Sequence, residues 1–376
     1  MFSKVNKNGL LKPLFQDNEK TTLKALTLKN RLRKNPVSGY ALFAVILLLL
    51  NEMAKSGLVK STFVGAISST LIYCIISIGF CLLLGYSALA SLGTAGFYCL
   101  GANITYMALV EWDISILATF IIAILIALAL GAAVGYISLR IEGIYLAIVT
   151  LGIAQIIVEI FKALNGDSLK IKRENITWFN IEYIKGSGID ARLTSDDIYF
   201  MMVAILFVLI LITHNLMNSP TGRAMLAMKN STSAAQAFGI SLLKYRLLSF
   251  IISIVYAVVA GVMFMLSEKF VSHSGTEFTL GTSLNILAIV IIGGMKSIWG
   301  AIFGTFLIYG VKSMFLINIP FFRENSDFIG IFSGILVILV VMFYPGGLSQ
   351  LVLEAKFKVA KLRTKIREAK YGKDLG

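Results

Sequence analysis

Hydrophobic positions in this chain run in long blocks rather than alternating, and the polar positions fall in short clusters between the blocks. No Asp, Glu, Lys, Arg or His occurs in 61–110, and none occurs again in 114–139. A helix needs about 20 predominantly apolar residues to cross a bilayer, so the first block predicts two spans and the second predicts one. Reading every block against its breaks predicts ten helical segments: 38–53, 61–84, 87–110, 114–139, 143–161, 197–217, 247–267, 281–294, 298–317 and 328–345. Segment 281–294 is short for a span and reads as a half-helix or re-entrant piece, so eight full spans plus irregular elements is the other count the pattern allows. The predicted fold class is an all-α polytopic membrane protein with about 8–10 transmembrane helices, some broken or re-entrant.

Charge orients this pattern. Of 34 Lys and Arg residues, nine precede Pro36 and eight follow Gly347. With an even number of spans, the positive-inside rule places both termini in the cytoplasm. Loops then assigned inside carry Arg140, Arg223, Lys229, Lys244, Arg246 and Lys296, with Glu142 their single acid. Loops assigned outside mix the signs, with five basic and six acidic residues in 165–197. The net charge of +14 therefore belongs to membrane topology and lipid contact, not to nucleic acid. The organisation predicted is a basic tail (1–37), a transmembrane domain (38–345) with an inside loop at 218–246 and an outside loop at 165–197, and a basic C-terminal segment (346–376). In that last segment Val352, Ala355, Val359, Leu362 and Ile366 recur at helical steps between Lys and Arg, predicting an amphipathic helix on the anionic leaflet. The 1–37 stretch is too long and polar for the start of a secretory signal, and no small-residue cleavage site follows the first apolar block.

Little in the sequence suggests an enzyme. Cys74, Cys81 and Cys99 all sit in apolar blocks and read as packing residues, and His214 and His273 are too far apart to build a metal cluster. No paired carboxylates or Ser-His-Asp arrangement has workable spacing. "IIGGMKS" (291–297) lacks the second glycine immediately before Lys296 that a phosphate-binding loop needs, and no strand precedes it. Two apolar blocks are instead rich in small residues: "GYSALASLGTAGFYCLGA" (85–102) and "IIGGMKSIWGAIFGTFLIYG" (291–310). Such runs serve close helix packing or broken helices lining a polar path, and the sequence alone leaves both open. Polar side chains inside spans are costly, so Ser91, Thr94, Thr150, Gln155, Glu159 and Asn285 are the candidates for that path. Gln155 and Glu159, four apart, share a helix face, and an ion pair from Glu159 to Lys162 is the structural alternative.

The polar loop has its own internal order. Ser219-Pro220 signals a helix start, and "KNST" (229–232) interrupts the helix that follows. Ser233-Ala234-Ala235-Gln236 fits a capping box, and Gly239 is placed to end a second, short helix over 233–238 that presents Phe238. Such a helix is too short to stand alone, and it serves either as a docking knob or as a self-capped loop on the membrane surface.

At these residues the chain resembles a known family. "GRAMLAMKNSTSAAQAFGISLLKYRLLSFIISIVYAVVAGVMF" (222–264) is similar to the loop and following span of permease subunits of the branched-chain amino-acid ABC importer family. The small-residue run at 85–102, "RIEGIYLAIVTLGIAQII" (140–157), "GGMKSIWGAIFG" (293–304) and "YPGGL" (344–348) resemble further segments of that family in order, together covering most of 60–350. The resemblance implies a multi-pass permease of the cell (plasma or inner) membrane working with a second permease subunit, commonly a different chain, two cytoplasmic ATPase subunits and an external substrate-binding protein. It implies that ATP and Mg bind the ATPase subunits and that this chain holds no cofactor. It also implies that Arg223, Ser233, Ala234, Ala235, Gln236, Phe238 and Gly239 form the ATPase-coupling element. Relatives often carry acids near the Ala-Ala pair and at the position of Asn285, where this chain has Ser231, Thr232, Gln236 and Asn285. Branched-chain or related hydrophobic amino acids are the implied cargo. Nucleosides, urea or simple sugars are the alternative within the wider group, and a stand-alone secondary transporter is disfavoured by the scarcity of intramembrane acids.

Overall fold

The computed structural model describes residues 36–57, 60–138, 144–172 and 193–314, with isolated positions between 319 and 348. The basic tails, most of loop 165–197 and predicted segment 328–345 lie outside the described residues. The chain divides into residues 1–49, whose described part belongs to a first helix α1 (Pro36–Lys55), and residues 50–376, which hold everything else.

Six described helices are long and apolar enough to cross a membrane. Besides α1 they are α2 (Ser61–Ser87), α4 (Ile116–Ser138), α5 (Ile144–Asn165), α6 (Ser195–Asn218) and α9 (Leu242–Glu268). The protein is thus an all-α polytopic membrane protein, as its hydrophobic blocks predict. Block 87–110 is not one α-helix. After Ser87 the chain runs irregularly to a helix α3 (Thr94–Tyr106), which a π-helical turn extends over Met107–Glu111. The break is a backbone event, because Ala88 takes the left-handed conformation (φ 55°) and the Ala88 and Leu89 amides both return to the Leu83 carbonyl. Block 281–294 is a short helix α10 (Leu280–Gly293), which turns at 294–297 into α11 (Ile298–Thr305), a π turn (Phe306–Gly310) and α12 (Val311–Met314). The remaining elements are α7 (Pro220–Asn230), α8 (Thr232–Ala237), β1 (Ser168–Lys170) and β2 (Phe270–Ser272).

The centre is built on α2 and α9, whose apolar stretches are mostly buried, whereas α4, α5 and α6 expose Ile121, Leu125, Ile148, Ile156 and Val208. An outward apolar face of this kind is what a lipid-facing helix requires. Helix α9 crosses α3 backbone to backbone: a Cβ on Gly261 would lie 2.1 Å from the Tyr98 carbonyl oxygen, and one on Gly101 would lie 2.1 Å from that of Val258. Only glycines permit this approach, and close approach substitutes for the hydrophobic drive that lipid withholds from helix pairs. Two pairs of buried hydroxyls tie helices together. Thr305 Oγ1 donates to Ser77 Oγ (3.0 Å), and Thr213 Oγ1 shares a hydrogen bond with the Tyr256 hydroxyl (2.7 Å), joining α6 to α9.

At one end of the bundle β1 pairs antiparallel with β2, Leu169 opposite Val271. Asp167 accepts from the Ser274 amide (3.0 Å) and hydroxyl (2.5 Å) and from the Ser272 hydroxyl (3.3 Å). The Ser274 hydroxyl is the main reason its carboxyl titrates below the ordinary 3.8. Beneath this clamp the Asn103 side-chain oxygen accepts from Asn165 Nδ2 (3.1 Å) and lies 3.1 Å from His273 Nε2, so α3, α5 and the β2 turn meet at one buried amide.

Candidate functional site

The polar loop folds as two helices with a shared hinge. Ser219 caps α7, its hydroxyl accepting from the Gly222 amide (3.3 Å), and Pro220 stands in the first turn where its missing N–H costs nothing. Met225 and Met228 are buried, which fixes one face of α7 against the bundle. Arg223 is exposed and donates to the Asn218 carbonyl (3.2 Å) at the end of α6.

The sequence places the cap of the second helix at Ser233, but Ser231 holds it. Ser231 is extended (φ −159°, ψ 114°), ends α7 and starts α8, and its hydroxyl accepts from the Ala234 amide (3.3 Å). Because α7 runs to Asn230, the extended residue available for capping is Ser231. Ser233 then lies inside the helix, exposed beside Ala234 and Gln236. Ala235 alone of the helix is buried. Gly239 ends the helix as predicted, with φ 77°, the Gly239 amide returning to Gln236 and the Ile240 amide to Ala235. The result holds Phe238 outward on a rigid turn, 86% exposed.

A contact the sequence does not reveal ties this loop to the bundle. Lys229 Nζ donates to the carbonyls of Leu84 (3.2 Å) and Gly85 (2.9 Å), the unpaired end of α2. Burial lowers the Lys229 pKa, and repulsion from Lys296 adds to the effect. Gly85 in turn lies against the 294–297 turn so closely that a Cβ there would fall 1.7 Å from the Met295 oxygen. Cys81 Sγ donates to the same oxygen (3.2 Å). Lys229 therefore joins the loop both to α2 and, through Gly85, to the α10–α11 hairpin.

The six path candidates separate into three places. Ser91, Thr94 and Thr150 meet at the break before α3. There Thr150 Oγ1 accepts from the Leu92 amide (3.1 Å), Ser91 Oγ accepts from the Gly93 amide (3.2 Å), and Ser91 and Thr94 line a cavity of about 10 Å³, room for a single water. Asn285 lies apart, exposed on α10 beside Tyr309. Gln155 and Glu159 do share a face, Gln155 Nε2 donating to Glu159 Oε1 (3.2 Å), but both are exposed on α5. Lys162 does not pair with Glu159. It reaches Ser274 Oγ (3.0 Å) and Asp167 (3.8 Å), because α5 continues to Asn165 and its last turn lies under the β clamp.

A roomier cavity, about 380 Å³, lies among Asn51, Lys55, Ser68, Asp196, Tyr199 and Lys269 and holds none of these candidates. Among the described residues no group of His, Cys, Asp or Glu is arranged to hold a metal.

A helical bundle with apolar outer faces, an irregular break between two buried helices, a short hairpin helix and a structured polar loop fits the construction of a membrane permease. Comparison with known proteins gives the family: residues 62–341 match the family described as "Branched-chain amino acid transport system / permease component", and the chain belongs to it. It is 30% identical over 328 residues to the high-affinity branched-chain amino acid transport system permease protein LivM of Escherichia coli (strain K12), covering 82% of this chain and 74% of that protein. LivM of Salmonella typhimurium is 29% identical over the same shares. The autoinducer 2 import system permease protein LsrC of Enterobacter sp. (strain 638) is 24% identical over 242 residues, 61% of this chain and 64% of that one. No solved structure matches. The protein is therefore a multi-pass membrane protein of a transport-permease family.

Proposed function

We propose that this chain is the permease subunit through which branched-chain or related hydrophobic amino acids, delivered by an external binding protein, cross the membrane. Two ATPase chains dock beneath loop 218–246, which faces the cytoplasm, and a second permease chain completes the path. Family membership supports the cargo and the partners. The observation that carries the coupling role is Phe238, a large apolar side chain 86% exposed on a short helix capped at both ends. A free loop in water has no reason to hold such a residue outward on a rigid turn, whereas a groove on a partner protein does. ATP-driven closure of the ATPase pair moves α8, and α7 carries that motion through Lys229 to α2 and the 294–297 turn.

Phe238→Asp tests this by placing a charge at the contact. In proteoliposomes carrying the co-purified importer, leucine uptake is expected to fall at least ~10-fold, the equivalent of about 1.4 kcal/mol of docking energy. ATPase subunits are expected to be lost from the purified complex. Wild-type uptake with a full complement of ATPase subunits would overturn the docking assignment.

A further inference from the structure

An acidic residue outside the spans lies partly buried against aromatic rings of the bundle. Glu277 belongs to a single 3-10 turn, Thr276–Phe278, between β2 and α10. The Tyr73 hydroxyl donates to Glu277 Oε2, and Tyr73 stands near the middle of α2 (Ser61–Ser87). The carboxylate is only partly buried, while the rings around it are buried. Tyr73 stacks on Tyr309 at 3.6 Å between ring centroids, and Tyr98 is tilted 6.2 Å from Tyr73. The Tyr98 hydroxyl is fully buried and has no close hydrogen-bond partner among the described residues. Tyr309 lies beside Asn285 and Thr282 of α10.

Two facts make this more than a packing arrangement. Among the described residues no Lys, Arg or His lies within ion-pair distance of Glu277, so this partly buried carboxylate has no protein counter-charge there. Helix α10, with 14 residues, is about 21 Å long against a hydrocarbon core of about 30 Å, so its ends must face protein or a water-filled cavity. Glu277, just before the N-terminal end of α10, therefore faces protein or water rather than lipid.

We propose that Glu277 is the counter-charge for a substrate ammonium group on the translocation path, with Tyr73, Tyr98 and Tyr309 as the ring wall beside it. A carboxylate flanked by aromatic rings is complementary to a primary amine through charge and cation–π contact. Asn285 on α10 is neutral, so Glu277 is the anionic group of this wall. The substrate class rests on the amino-acid reading given above, whereas the cation preference of the site does not.

Two measurements separate these claims. In the reconstituted importer, Glu277→Gln is expected to lower radiolabelled leucine uptake at least ~10-fold with all subunits still co-purifying, and Glu277→Asp to recover part of it. Uptake within twofold of wild type for Glu277→Gln would overturn the proposal. Independently, Asn285→Cys in the assembled complex is labelled with a cationic and an anionic methanethiosulfonate reagent; the native cysteines Cys74, Cys81 and Cys99 are buried. The cationic reagent is expected to react at least ~10-fold faster than the anionic one, and adding Glu277→Gln is expected to abolish that preference. Equal rates with Glu277 intact would refute the anionic subsite. A wild-type importer that rejects leucine while keeping the cationic preference would sink the cargo reading and leave the cation site standing.

Discussion

Lys229→Met removes the ammonium that holds the polar loop on the end of α2 while keeping an unbranched apolar stem of similar reach. The side chain makes two charge-assisted hydrogen bonds to carbonyls at 3.2 and 2.9 Å. Bonds to charged groups contribute about 1.5–3 kcal/mol each. Two features reduce the sum. The group is only partly buried, and the lowered pKa means that burial and the neighbouring Lys296 already tax the charged form. A net ~1–2 kcal/mol follows, or roughly a 5–30-fold loss in the population of loops docked on α2. With docking through α8, as proposed, the ATPase subunits should still co-purify with Lys229→Met. Leucine uptake per ATP hydrolysed in proteoliposomes should fall about 5–30-fold, and Lys229→Arg should restore most of it because the guanidinium retains charge and donors. Uptake per ATP within twofold of wild type for Lys229→Met would refute the link from loop to bundle.

Other expectations follow from single contacts. Gly261→Leu would drive a side chain into the Tyr98 carbonyl from 2.1 Å and force α9 off α3, at the upper end of the ~1–3 kcal/mol that overpacking costs; thermal unfolding in detergent reads it. Asn103→Ala leaves Asn165 and His273 without their shared acceptor inside the fold, with an expected loss of about 1–3 kcal/mol by the same assay. The Asp167 carboxyl has a folded pKa below its unfolded 3.8, so the clamp it closes is fully supported above 3.8 and loses that support as pH falls through the lower folded value. Amide exchange in β1 and β2, corrected for intrinsic rates, should therefore accelerate only below pH 3.8, and unchanged protection there would contradict the assignment.

Much of this architecture can be read from the hydrophobic blocks, because lipid demands long apolar helices and leaves few alternatives. The short α10 and the helix end at Gly239 were legible for the same reason: too few apolar residues in one case, and a glycine after a capped run in the other. What escaped depended on where backbones stop. Ser231 and Ser233 carry the same hydroxyl, and only the length of α7 decides between them. Gln155 and Glu159 obey helical spacing, but spacing cannot say whether their face meets protein or solvent. Lys229 looked like an ordinary inside-loop cation until the end of α2 came within 2.9 Å of it. Glu277 was hidden most completely, since an acid beside a polar loop reads as solvated until the chain folds back to Tyr73. Its one sequence signal is position, immediately before a helix too short to span.

Purifying the tagged protein from detergent-solubilised membranes and reconstituting what comes with it would show whether this chain is the permease of an ATP-driven amino-acid importer. Two ATPase subunits, a second permease chain, and leucine uptake that requires both ATP and the external binding protein are expected. Uptake by this chain alone, driven by an ion gradient with no ATPase bound, would contradict that role.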